Sequence, residues 1–82
     1  MGFKADEAEN LKLRAMLMVE LDKHIRDKRL TQKRAAEQFG VTQPRISDLM
    51  RGKIDLFSVD TLITILTHGG LKVDVKVTRS AA

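Results

Sequence analysis

The sequence contains no cysteine, which excludes disulfides, a thiol nucleophile and any cysteine-ligated metal. An intracellular setting is the simplest reading of that absence. No apolar run approaches the roughly 18 residues that a membrane span requires, and the N-terminus lacks a signal-peptide pattern. Met1-Gly2 opens like a myristoylation signal, but Asp6 stands where serine or threonine is needed, so that idea fails. A soluble, cytoplasmic protein with no membrane partner is expected. Histidine is scarce as well. His24 and His68 are far apart, and no serine or carboxylate stands in a catalytic setting. His24 reads as an ordinary surface site one turn from Asp27 and Lys28, and His68 as a last-turn residue suited to the helix dipole. No enzyme activity, cofactor or metal site is expected. The 82 residues allow one domain with a single small core.

What the chain does have is charge in one place. The net charge is +4. From Met1 to Asp22 three basic residues face five acidic ones, a balance of −2. From Lys23 to Lys53 nine basic residues face three acidic ones, a balance of +6, and beyond Ile54 three of each cancel. A cationic block of this kind is the footprint expected of a phosphate-binding surface.

Inside that block lies TQKRAAEQFGVTQPRISDLMRG, Thr31 to Gly52. It reads as two short helices joined by a tight turn. Thr31 is an N-cap for a helix from Gln32 to about Phe39, and Gly40 ends it in the left-handed conformation. Thr42 caps the second helix, Pro44 sits in its first turn where a missing N–H costs nothing, and Gly52 closes it. Ala35 and Ala36 are small enough for two backbones to approach. Phe39, Val41, Ile46 and Leu49 fall where helical spacing turns them into a shared core. Gln43, Arg45, Ser47 and Asp48 are left facing outward. A helical hairpin with a solvated face is the bland alternative; alanine, glycine and isoleucine at these spacings, with Gln and Arg opening the second helix, argue against it.

Gln32 to Arg51 resembles the helix-turn-helix of the phage-repressor, or XRE, class, with Ala36, Gly40, Ile46 and Leu49 at that family's structural positions. The wider run LTQKRAAEQFGVTQPRISDLMRGK, continuing into FSVDTLITILTHGG, is similar to small regulators that include antitoxins of host-inhibition-of-growth toxin–antitoxin modules. The resemblance covers roughly Leu17 to Val77. It implies that Gln32 supports the glutamine opening the second helix, that Pro44 replaces a polar base reader, and that an RNA-cleaving toxin is a partner. With the second helix in the major groove, Gln43 suits adenine and Arg45 guanine, with Ser47 beside them. Thr31, Arg34, Thr42, Arg51 and Lys53 are phosphate-contact candidates through hydroxyls, helix N-termini or charge. Lys28 and Lys33 add to the field. Two function classes stay open: a dimeric operator-binding repressor acting alone, or an antitoxin that also inhibits a toxin and regulates its own operon.

The remainder frames this unit. Residues 1–8 carry few anchors and are expected to be frayed, with a single domain over 9–82. Glu9 or Asn10 to Lys28 is a helix without glycine or proline, with Leu17, Leu21 and Ile25 in one i, i+4 row and Met18 beside it. Leu11, Leu13 and Met16 widen its apolar character, either to close the core, the preferred reading, or to meet a partner. Leu30 is the hinge into Thr31. In the loop after Gly52, Lys53 is expected toward DNA while Ile54, Leu56 and Phe57 turn inward. Ser58 caps a last helix with Leu62, Ile65 and Leu66 inward and Ile63 near the edge; Gly69-Gly70 stops it. LKVDVKV alternates with period two and reads as a strand over 71–77, with Leu71, Val73, Val75 and Val77 on one face. No second strand is apparent, so the natural partner is the same strand of a second copy, antiparallel about a two-fold axis; the bland alternative is a segment lying idle along the protein surface. The fold expected is mostly α: four to five helices in a phage-repressor-like helix-turn-helix domain, with one C-terminal β-strand pairing across a homodimer on a palindromic operator in double-stranded DNA.

Overall fold

Among the described residues, four α-helices and one 3₁₀ turn follow in the order α1 Gly2–Asp27, α2 Gln32–Phe39, α3 Gln43–Met50, 3₁₀ turn Ile54–Leu56 and α4 Val59–His68. The structure, a computed structural model, describes residues 2–79, with side chains from residue 7 onward. The short tail beyond residue 79 and Met1 lie outside the described residues. Helix α1 starts seven residues before the expected Glu9. The physical reason is that nothing stops it: between Gly2 and Glu9 there is neither glycine nor proline, so the helix runs back through good formers. Its 26 residues span about 39 Å at 1.5 Å each.

The hydroxyl caps stand where they are expected. Thr31, Thr42 and Ser58 accept from the N–H groups of Arg34, Arg45 and Thr61 at 3.1, 3.3 and 3.1 Å. Each satisfies a donor that a helix start leaves free. All four helix ends share one device: a positive-φ residue followed by an N–H that bonds back to a carbonyl five residues earlier. Gly40, Gly52 and Gly70 supply φ values of 69°, 73° and 91°. After them Val41 bonds to Ala36, Lys53 to Asp48 and Leu71 to Leu66, at 3.0, 3.1 and 3.0 Å. At α1 the residue is Arg29, φ 53°, with Leu30 bonding to Ile25 at 3.0 Å. A non-glycine at that position hides the helix end from a search for glycines.

The core draws on every helix. Leu17, Met18, Leu21 and Ile25 of α1 meet Ala35, Ala36 and Phe39 of α2, Ile46 and Leu49 of α3, and Leu62, Ile65 and Leu66 of α4. Phe57 closes it from the loop, and Leu13, Leu30, Val41, Ile54 and Ile63 are half-buried around it. Leu56 corrects the expectation that it turns inward: it is 47% exposed. A 3₁₀ turn repeats every three residues, so Ile54 and Phe57 share the inner side and Leu56 rotates outward. The preferred core reading of the upstream α1 residues also fails, since Leu11 and Met16 are 45% and 57% exposed and only Leu13 is half-buried.

No β-strand is present among the described residues, so the expected strand over 71–77 is not found. A ladder needs a partner backbone, and within this chain residues 72–79 meet none: the last backbone hydrogen bond is that of Leu71. The period-two pattern survives at the start of the tail. Leu71 and Val73 are half-buried against the core while Lys72 and Asp74 are exposed. Further on, Val75 and Val77 are 50% and 91% exposed. Together α1 and the tail line a groove of about 1370 Å³, floored by Leu13, Met16, Leu17 and Leu66.

Gly69 is required for a different reason from its neighbours, since its φ is ordinary at −78°. A Cβ there would overlap the buried Phe39 ring, whereas one at Gly52 would meet nothing within 4 Å. Gly69→Ala is therefore expected to cost about 1–3 kcal/mol through overpacking. Gly52→Ala should cost about 1 kcal/mol through backbone strain alone. Thermal melts of the two variants check this; Gly52→Ala melting lower than Gly69→Ala would show that the close approach is not the tighter constraint.

Candidate nucleic-acid interface

Helices α2 and α3 pack on each other across the turn at Gly40 to Thr42, and each presents a capped N-terminus at the surface. The short connection is possible because Gly40 takes the left-handed conformation. A Cβ at this position would also collide with the His68 ring. Ile46 and Leu49 fix the inner side of α3. At 100° per residue, Pro44, Ser47, Asp48 and Arg51 fall on the opposite side. Gln43 and Pro44 are exposed and Ser47 and Asp48 half-buried, so the first turn and the outer face of α3 are open to a ligand.

Each residue expected at the site has a definite place. Gln32 and Gln43 begin α2 and α3, both exposed, with no hydrogen bond joining them among the described residues. Thr31 and Thr42 use their oxygens to accept from backbone N–H groups, which leaves each hydroxyl proton to donate outward, as a phosphate oxygen would require. Arg34 and Arg51 are exposed. Lys53 lies 3.5 Å from the Asp48 carboxylate, a partly exposed pair that is weak in water. Arg45 departs most from the simple picture. It sits on the flank of α3, half-buried, with its guanidinium 4.5 Å above the Phe57 ring. That stacking holds the cation beside the recognition face and covers one side of a core aromatic.

Three further contacts place the site and were not legible in the sequence. Arg14 reaches from α1 to donate to the Ile54 carbonyl at 3.2 Å, pinning the loop that follows α3. Gln38 donates to the Gly69 carbonyl at 3.0 Å, tying α2 to the end of α4. His24 is not the ordinary surface site expected: it is half-buried, edge-on to Phe39 at 5.6 Å, with Nε2 3.3 Å from Gln38 Nε2. All three join residues 14 or more apart in the chain, beyond any local spacing rule. The one signal available was the Schellman ending of α3, which brings Lys53 back to Asp48.

The chain matches a family model for the helix-turn-helix domain over residues 2–78. A solved structure described as an XRE family transcriptional regulator is similar at 31% identity and a TM-score of 0.81, covering 92% of this chain and 84% of that one. No protein of curated function gives a match. The match includes all of α1, although the sequence motif itself begins only at α2.

Removing a cap tests whether the N-terminus of α3 is built as described. Thr42→Ala is expected to cost about 1 kcal/mol, and Thr42→Ser to restore most of it. Amide exchange at Arg45, whose N–H the cap holds, should rise in the alanine variant alone. Equal exchange in all three proteins would show that the cap does not order this turn.

Proposed function

The chain belongs to the XRE-type helix-turn-helix family, a family of DNA-binding transcriptional regulators, and from that premise we propose a dimeric repressor that is also the antitoxin of a type II toxin–antitoxin module. It binds a palindromic operator, represses its own operon and neutralises an RNA-cleaving toxin. The observation that carries the DNA-reading part is the open face and capped N-terminus of α3 within the cationic block.

In this reading α3 enters the major groove, whose width of about 12 Å accepts a helix. Gln43 reads adenine, Arg45 swings from Phe57 toward guanine, and Ser47 accepts or donates to either, with Gln32 behind Gln43. Thr31, Thr42, Arg34, Arg51 and Lys53 hold the flanking phosphates. Dimerisation comes from the tail: Leu71, Val73, Val75 and Val77 pair with a second copy, which completes a ladder that one chain lacks. The exposure of Val75 and Val77 supports this. The toxin reading rests on Leu11 and Val19, large apolar residues 45% and 62% exposed on α1, in the stretch up to Asp22 where five acidic residues face three basic ones. A cationic enzyme would find both apolar contact and complementary charge there. The second reading, a regulator without a toxin, is favoured by the likeness to a protein described only as a transcriptional regulator. A short basic open reading frame beside this one, whose product loses toxicity with wild type but not with Val19→Glu, separates them.

The DNA-reading part has a titration as its test. Arg51→Ala should weaken all sequences alike and reduce the salt slope by about one. Arg45→Met keeps an apolar stem over Phe57 yet should lose about 1–3 kcal/mol of discrimination between operator and random duplex. Footprinting should show two half-sites centred about 34 Å apart, or a multiple of that. An Arg45→Met protein with undiminished preference would remove Arg45 from the reading head, and a single unrepeated footprint would remove the dimer.

A further inference from the structure

Resting on the tail pairing proposed above, we propose that the two tails meet in one register only, with the axis at Val75. Val75 then faces Val75 of the second copy, Asp74 faces the second copy's Lys76, and Val73 faces its Val77. The argument begins at Gly70. Its φ of 91° is incompatible with a ladder, so pairing starts no earlier than Leu71. From there the charged residues Lys72, Asp74 and Lys76 alternate along one face of the tail. In an antiparallel pair each residue lies directly opposite one partner, and like charges placed so repel.

An axis at Asp74 sets Asp74 against Asp74 and Lys72 against Lys76, all like charges. An axis at Lys76 sets lysine on lysine. An axis at Val73 gives the good pair Lys72 with Asp74, but its ladder runs only from Leu71 to Val75. It leaves Lys76 and Val77 opposite Gly70 and Gly69, outside any ladder. Of these four axes, the one at Val75 pairs every described residue from Leu71 to Arg79 and opposes Asp74 to Lys76 twice. It also accounts for the exposed valines. Val77, 91% exposed in one chain, comes to lie beside Val73 of its mate. There it covers the groove floored by Leu13, Met16 and Leu17. The occupant of that groove is therefore a second copy of this chain.

Charge swaps and single cysteines test the register, and the chain's lack of cysteine makes the second clean. Sedimentation should show a wild-type dimer at tens of micromolar. Asp74→Lys should weaken it by about tenfold, and Asp74→Lys with Lys76→Asp should restore it. Lys72→Asp, which faces Thr78 in this register, should leave dimerisation unchanged. Under mild oxidation Val75→Cys should link to itself, while Val73→Cys and Asp74→Cys should not, because only the first pair lies within disulfide reach. Loss of the dimer in Lys72→Asp, or self-linking of Val73→Cys, would overturn this register while leaving the pairing in place. A wild-type monomer at these concentrations, or a tail ordered only by a different protein, would overturn the pairing itself.

Discussion

The Phe39 ring is the point on which the arrangement of the helices depends. It is 1% exposed, ends α2, meets His24 of α1 edge-on, and lies against the bare Cα of Gly69 where α4 stops. Gln38, the residue before it, donates to the Gly69 carbonyl and lies beside the same histidine. Three helices are thus locked to one side chain from three directions. Helix α3 follows after only Gly40, Val41 and Thr42, so its orientation is set from behind, by contacts within the core. The tail leaves from the other end of the same junction, since Gly70 and Leu71 follow Gly69 directly. One packing constraint therefore positions both the reading helix and the segment proposed to pair.

The helix ends make the second set of constraints. At α1, α2 and α4 the residue after the left-handed position is Leu30, Val41 or Leu71, each half-buried, which is the apolar contact that usually accompanies this ending. At α3 it is Lys53. The backbone bond to Asp48 is kept, but the apolar anchor is exchanged for an ion pair with the same residue. Burial at that point is supplied instead by Ile54 and Phe57, one and four residues later, and by Arg14 on the Ile54 carbonyl. The chain thereby leaves α3 with a cation at the surface where a phosphate-binding face needs one.

What was legible in the sequence was local. Hydroxyl caps, the Gly40 and Gly52 endings and the Leu17, Leu21, Ile25 row depend on residues within a few positions of each other, and spacing reports them. Leu56 departs from its expected inward place because the loop after α3 repeats in threes rather than fours. The start of α1 was misplaced because a helix without a stop signal has no boundary to read. Periodicity puts Arg45 on the outer face, yet its position is decided by Phe57, twelve residues downstream beyond a 3₁₀ turn. The tail is the limiting case: its period is visible in one chain, while the pairing that would make it a strand belongs to two.

Few residues on α3 can read bases, and that bears on why the tail matters. Pro44 lacks a side-chain donor or acceptor and Asp48 is engaged with Lys53, so on the proposed reading discrimination rests on Gln43, Ser47 and Arg45. One copy with so few base contacts draws most of its affinity from phosphates, which do not distinguish sequences. Two copies held together convert the second half-site into an intramolecular event and multiply the discrimination of the first. That multiplication requires the two reading helices to be in phase with the duplex. Moving the axis of an antiparallel pair by one residue slides the protomers by two, about 7 Å. Along the duplex this is as much as two base pairs, a fifth of a helical turn. On the proposed reading, the charges of Lys72, Asp74 and Lys76 would then determine the operator spacing that the dimer accepts.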